Sequence, residues 1–273
     1  DLPTLDIAPY ATKKVKINLP KFKNAAAEYH LNVYALNQTK TDLMPLNHVV
    51  AFEQFQLVKE NLNVGSKTSN EAISISSDAN VTKVSNANFT LKVDVKTGKI
   101  TDLDYGNGNV LVESLIPNFW RATTDNDFGA KSPEKLAVWK QASTTQNLKS
   151  IKIFNNSKEV AVANASEVKG AVNIQTIFDL PSVKGQVTIE YVVQPNGEVT
   201  VTNTLTNISK ELPHLPRFGN NFIIKNEYQN VEYFGRGPHE NYNDRNTAAL
   251  VGDYKTKVAD MHFPYIRPQE NGY

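Results

Sequence analysis

Apolar and polar residues alternate with a period of two along most of this chain. The pattern is cleanest where Phe89, Leu91, Val93 and Val95 interleave with Thr90, Lys92, Asp94 and Lys96 ahead of Thr97-Gly98. Such a period places one set of side chains on each face of a strand, so the segment reads as one solvent-facing strand of a hairpin. Val187, Ile189, Tyr191 and Val193 repeat the pattern and lead through Pro195-Asn196-Gly197 into a second alternating run from Val199 and Val201 to Leu205. Further strands are predicted at residues 15–17, 31–34, 52–58, 171–180, 218–224 and 231–234, bounded by polar or Gly/Pro turns. The expected class is all-β.

One segment carries helical signals. Ser132 suits an N-cap, Pro133 the first helical position and Glu134 the first turn, and Leu136, Val138 and Trp139 follow up to Gln141. Between residues 60 and 81 the chain turns polar, with many Asn, Ser and Lys and only isolated aliphatics. A domain junction is expected there, near residues 62–72.

Composition narrows the function classes. With 40% hydrophobic and 21% charged residues, the chain groups with folded globular proteins rather than disordered ones. A formal net charge of +1 offers no field to steer nucleic acid or an acidic membrane surface, so neither is expected as a partner. No apolar run approaches the roughly 20 residues of a membrane helix. The absence of cysteine excludes disulfides, thiol catalysis and cysteine-ligated zinc and fits either cytoplasm or periplasm.

Candidate chemistry is concentrated in two clusters. The first is Phe119-Trp120-Arg121-Ala122-Thr123-Thr124-Asp125-Asn126-Asp127. The carboxylates and amide of Asp125, Asn126 and Asp127 can bond sugar hydroxyls while Trp120 stacks on an apolar sugar face. The same residues are also ordinary turn chemistry, with Arg121 able to brace the turn by a two-pronged contact to Asp125 or Asp127. An Asp-x-Asp spacing could suggest Ca²⁺, but the further oxygen ligands of a calcium loop are not apparent, and no metal is expected. The histidines show no metal-ligand spacing either.

The second cluster is Gly235-Arg236-Gly237-Pro238-His239-Glu240-Asn241-Tyr242-Asn243-Asp244-Arg245, at the end of a predicted strand. Adjacent His239 and Glu240 could serve as general acid and base on a sugar, although neighbours on an extended strand face opposite ways. Glu240, Asn241 and Arg245 could instead bridge to a neighbouring domain, with Arg236 and Tyr242 beside them. No phosphate loop or nucleophile elbow appears, and no cofactor is expected.

These clusters, together with Asp260-Met261-His262-Phe263-Pro264-Tyr265-Ile266-Arg267-Pro268-Gln269-Glu270-Asn271-Gly272, resemble successive signatures of the small-chain domain of family 2 β-galactosidases. Upstream, His48-Val49-Val50-Ala51-Phe52-Glu53-Gln54-Phe55 resembles the end of the immunoglobulin-like domain that precedes it in those enzymes. The resemblance implies a partial immunoglobulin-like β-sandwich over residues 1–60, a linker over 61–76, and a galactose-mutarotase-like β-sandwich over 77–273 that is truncated at its C-terminus. A complete immunoglobulin-like sandwich uses on the order of 100 residues, so the first piece is expected to need cover from a neighbour or a second copy.

In that family the catalytic glutamates lie on a (β/α)₈ barrel, so the resemblance implies that this portion carries no catalytic residue of its own. A retaining glycosidase needs two carboxyl groups about 5–5.5 Å apart, and no acidic pair in the sequence has a local reason to form one. The implied function is the non-catalytic portion of a bacterial β-galactosidase acting on terminal β-D-galactosides. Its implied partners are the barrel of the same polypeptide, the β-galactoside and further copies of itself. The alternatives are a free-standing carbohydrate-binding module and a mutarotase-type epimerase using His239 and Glu240.

Overall fold

A computed structural model describes residues 2, 4–22, 27–58, 71–160, 166–242 and 244–266. Backbone packing divides the chain into two compact units, residues 1–63 and residues 64–273.

In the first unit β1 (Tyr29–Leu36) pairs antiparallel with β2 (Val49–Val58). The connecting loop closes with the Asn37 amide donating to the His48 carbonyl at 3.0 Å. Residues 15–17, expected as a strand, lie in irregular backbone with Val15 and Ile17 exposed. Apolar alternation gives a strand only where a partner supplies the ladder bonds, and none of the described residues pairs with this stretch.

The second unit opens with a meander of β3 (Ala72–Ser77), β4 (Val81–Ser85), β5 (Thr90–Asp94) and β6 (Ile100–Asp104). After β7 (Leu111–Asn118) come three short helices, α1 (Asp125–Gly129), α2 (Ser132–Lys135) and α3 (Ala137–Thr144). The strands resume as β8 (Asn147–Asn155), β9 (Lys158–Glu159), β10 (Ser166–Lys169), β11 (Val172–Leu180), β12 (Gly185–Val193) and β13 (Val199–Thr206). Last come β14 (Gly219–Ile224), β15 (Asn230–Gly237) and β16 (Leu250–Lys257). One sheet has the order β10-β3-β4-β5-β6 and another β13-β12-β11-β8-β9, while β14 pairs with β7 and β15 with β16. Every pairing is antiparallel.

The core follows the alternation. In β11 every second residue, Val172, Ile174, Thr176, Phe178 and Leu180, is buried, and in β12 Val187, Ile189, Tyr191 and Val193 are. Ile73, Ile75, Val84, Leu91, Val93 and Ile100 are buried from the first sheet, and the two buried faces form one hydrophobic cluster. Two half-apolar sheets remove their faces from water by stacking, which makes this part an all-β sandwich. The turn after β5 shows how close the sheets lie. Gly98 has a φ of 67°, and a Cβ there would fall 2.5 Å from Leu148 Cδ1 and 3.3 Å from the Phe178 ring. At the other end, Asn86 Nδ2 donates to the Pro195 carbonyl at 2.7 Å and Tyr105 Oη to the Gly197 carbonyl at 3.0 Å.

The second unit differs from the sequence reading in two local respects. The linker expected over 61–76 overlaps β3, an interior strand of the first sheet whose Ile73 and Ile75 are fully buried; residues 61–70 lie outside the described set. Its Ser-rich, half-buried face disguised two aliphatics that suffice to seat a short strand. The single helix expected from Ser132 is broken into α2 and α3 at Leu136, and Lys131, in left-handed backbone, stands at the cap position that Ser132 was expected to fill.

Candidate functional site

The first cluster is built on the connection from β7 to α1. Phe119 is fully buried, stacked on Phe218 at 5.9 Å between centroids and tilted against Trp139 at 6.1 Å. Its amide donates to Ser143 Oγ of α3 at 2.8 Å, which fixes the chain as it leaves the sheet. Asn118, also buried, donates from Nδ2 to the Trp120 carbonyl at 2.6 Å and accepts from the Trp120 amide at Oδ1. Trp120 is left half-buried, with Lys140 Nζ 5.9 Å from its ring centroid.

The Asp-Asn-Asp run is the first turn of α1 rather than a free loop. Thr124 caps it, accepting from the Asp127 amide while Asp127 Oδ2 accepts from the Thr124 amide at 2.9 Å, a reciprocal capping box. Arg121 then grips the same carboxylate, with Nη1 2.6 Å from Oδ2 and Nη2 3.0 Å from Oδ1. Burial pushes the Asp127 carboxyl up, but the Arg121 guanidinium and the Thr124 amide and hydroxyl together hold it below its ordinary 3.8. Asp125 Oδ1 accepts from the Asn126 amide, and Asn126 is exposed. The Asp127 carboxylate is therefore spent on holding the helix start.

The second cluster follows β15. Arg236 extends across the β15–β16 connection and donates from Nη1 to the carbonyls of Ala249 at 2.9 Å and Asn246 at 3.1 Å, while Asn241 Nδ2 reaches the Arg236 carbonyl at 3.4 Å. Tyr242 and Arg245 exchange both backbone hydrogen bonds. The Gly237–Pro238 peptide is cis. His239 is exposed and Glu240 buried, so these neighbours sit in different environments. Glu240 pairs with Arg245 and accepts from Tyr265 Oη, and Arg245 Nη2 also donates to Tyr265 Oη at 2.7 Å. The Arg245 guanidinium lies 5.9 Å from the Tyr265 ring centroid, and Phe263 leans on the same ring at 4.7 Å. A cavity of about 190 Å³ is lined here by His239, Glu240, Arg245, Asp260, His262 and Tyr265, among others.

The sequence clusters thus become two local constructions with different partners. Phe119 braces the first against Ser143 of α3 and against Phe218, while Arg236 and Arg245 tie the second to Ala249 and Tyr265. No group of three or more His, Cys, Asp or Glu among the described residues could hold a metal ion.

Comparison with known proteins places the chain in a family. The family model described as β-galactosidase small chain matches residues 85–273, and that described as β-galactosidase domain 4 matches residues 1–58. The chain belongs to the β-galactosidase small-chain family.

The β-galactosidase of Priestia megaterium is 29% identical over 98% of this chain and 25% of its own length. That of Actinobacillus pleuropneumoniae is 31% identical over 97% of this chain and 25% of its own, and that of Pseudoalteromonas haloplanktis 29% identical over 98% and 26%. The chain spans about a quarter of the length of the curated relatives it matches.

Within this small-chain portion, sequence reasoning left Thr124 and Tyr265 out of the site. The Thr-x-x-Asp spacing of Thr124 and Asp127 was the available signal for the first, since a short acceptor at N-cap and an acid three residues on form a capping pair. Nothing local marks Tyr265, which reaches Glu240 from 25 residues away.

Proposed function

We infer that this chain serves as a non-catalytic portion of a retaining β-galactosidase, supporting a catalytic barrel carried elsewhere in the polypeptide and shaping the rim of its β-galactoside pocket. The observation that carries the reading is the match of two β-galactosidase family models in succession along one chain. The local chemistry supports it. In each cluster the best-placed carboxylate, Asp127 or Glu240, is committed to an arginine and to a second donor. A general acid or nucleophile has to release or accept a proton or bond at such an oxygen, and a bonded, ion-paired carboxylate is poorly placed to do so.

Self-association belongs to the same reading. Tyr34 and Phe52, opposite one another in register on one face of the β1–β2 pair, stand 50% and 42% exposed, a pair of rings that a second copy or a neighbouring domain would cover. The test is a chromogenic β-galactoside assay on the chain beside calorimetric titration with galactose and lactose. The expected result is no hydrolysis above background. Turnover by the chain itself would overturn the non-catalytic role.

A second reading, sugar anomerisation, draws on one observation: His239 and Glu240 line the same cavity. Galactose mutarotation that disappears in His239→Ala would establish it over the first.

A further inference from the structure

An edge strand presents a row of backbone N–H and C=O groups that no neighbour bonds, and folded chains blunt such edges with short strands, charges or a covering loop. In the two five-stranded sheets, three of the four outer strands are blunted in this way. β9 is two residues long, and both Lys158 and Glu159 are charged. β10 has four residues, with Glu167 and Lys169 exposed. β6 is closed by the chain doubling back. The Val110 amide donates to the Leu103 carbonyl at 2.8 Å, while the Asn109 side chain accepts from the Leu103 amide at 2.9 Å and donates to the Thr101 carbonyl at 3.0 Å.

β13 has none of these protections. It runs Val199-Thr200-Val201-Thr202-Asn203-Thr204-Leu205-Thr206, pairs with β12 in unbroken register, and meets no described strand on its other side. It holds no charge and no proline, and β-branched residues fill most of it. Such a composition favours strand addition. Thr200, Thr202, Thr204 and Thr206 are exposed on one face, and Val199, Val201, Asn203 and Leu205 are half-buried on the other.

The strand is also its own complement. Laid antiparallel on a second copy about a two-fold axis at Asn203, it sets Thr202 opposite Thr204, Thr200 opposite Thr206 and Val201 opposite Leu205. Threonine then meets threonine and aliphatic meets aliphatic, and each face continues across the junction. Asn203, the polar residue of the inward side, meets its own copy on the axis, where amide can bond amide. The same geometry carries the exposed Glu198, just ahead of β13, toward the end of the other copy's strand, beyond which Lys210 is exposed. We propose that β13 is a homodimer interface, through which two copies join edge to edge and merge their second sheets into one. The proposal rests on the self-association inferred above and gives it a surface separate from the Tyr34–Phe52 rings.

Sedimentation equilibrium on the 273-residue chain tests this. The chain should dimerise with a Kd of roughly 100 µM or tighter, the strength of a small interface dominated by backbone bonds. Thr202→Lys with Thr204→Lys sets like charges opposite one another across the axis and should raise Kd at least about tenfold. Thr202→Lys with Thr204→Glu is as polar but sets unlike charges opposite one another, and should keep the wild-type Kd or lower it. Phe52→Ser, on the ring pair of the first unit, should leave Kd unchanged, and circular-dichroism melts verify that each variant folds. Three outcomes overturn the proposal. The chain stays monomeric at roughly 1 mM; the dimer survives the double-lysine variant and falls in Phe52→Ser, which assigns association to the rings; or both charge variants lose the dimer equally.

Discussion

Arg121 holds Asp127 with both terminal nitrogens, Nη1 on Oδ2 at 2.6 Å and Nη2 on Oδ1 at 3.0 Å, while that carboxylate also receives the Thr124 amide. The pair is a clamp on the start of α1. Guanidinium and carboxylate are planar and match in spacing, which makes such a contact stronger and more directional than a single ion pair.

The clamp has a pH signature. The Asp127 carboxyl is held below its ordinary 3.8 in the folded chain, so its contribution is complete above the unfolded-state value and is lost as pH falls through the folded one. Asp127→Asn should lower stability by about 1–3 kcal/mol at pH 7. Urea titrations at pH 7 and pH 3 should show the wild type losing more over that interval than the variant. Equal losses would mean the carboxylate is not clamped in solution.

Glu240 is buried with only 6% of its side chain exposed, whereas Arg245 is 57% exposed. Removing the arginine leaves a desolvated carboxylate with Tyr265 as a remaining donor. Arg245→Ala should therefore cost about 1–3 kcal/mol, and the cost should shrink when Glu240→Gln is already present. A double-mutant cycle by chemical denaturation measures the coupling; additive losses would show that the contact carries no energy.

Tyr191 sits in the core with its hydroxyl buried and without a hydrogen-bond partner. Burial pushes its ionisation up, well above the ordinary 10.0. A raised folded value means the contribution is intact below the unfolded pKa and is lost as pH rises above it. Tyr191→Phe should keep or raise the melting temperature at pH 7, since no bond is broken. It should also lose less stability than wild type when pH is raised beyond 10. A marked destabilisation at pH 7 would reveal a partner for the hydroxyl.

Gly98→Ala places a methyl 2.5 Å from Leu148 Cδ1 at a residue with a φ of 67°. Overpacking and left-handed backbone add, so the variant should lose about 1–3 kcal/mol. A thermal melt within a degree of wild type would show that the sheets part easily at this turn.

The sequence by itself determined the all-β class and most of the sandwich's second sheet. β11, β12 and β13 were legible because strict alternation over eight or nine residues has one physical meaning, a strand buried on a single face. The two chemical clusters were legible as dense local motifs. β3 was not, because two isoleucines among serines carry too little periodic signal until β4 and β10 flank them. Only the tertiary structure decided what the clusters do with their charges. Arg121 could have chosen Asp125 or Asp127, and helix capping by Thr124 set Asp127 at the right distance. Glu240 meets Tyr265 and Gln175 meets Glu190 because strand pairing and chain return bring distant residues together, and no local pattern encodes such a meeting.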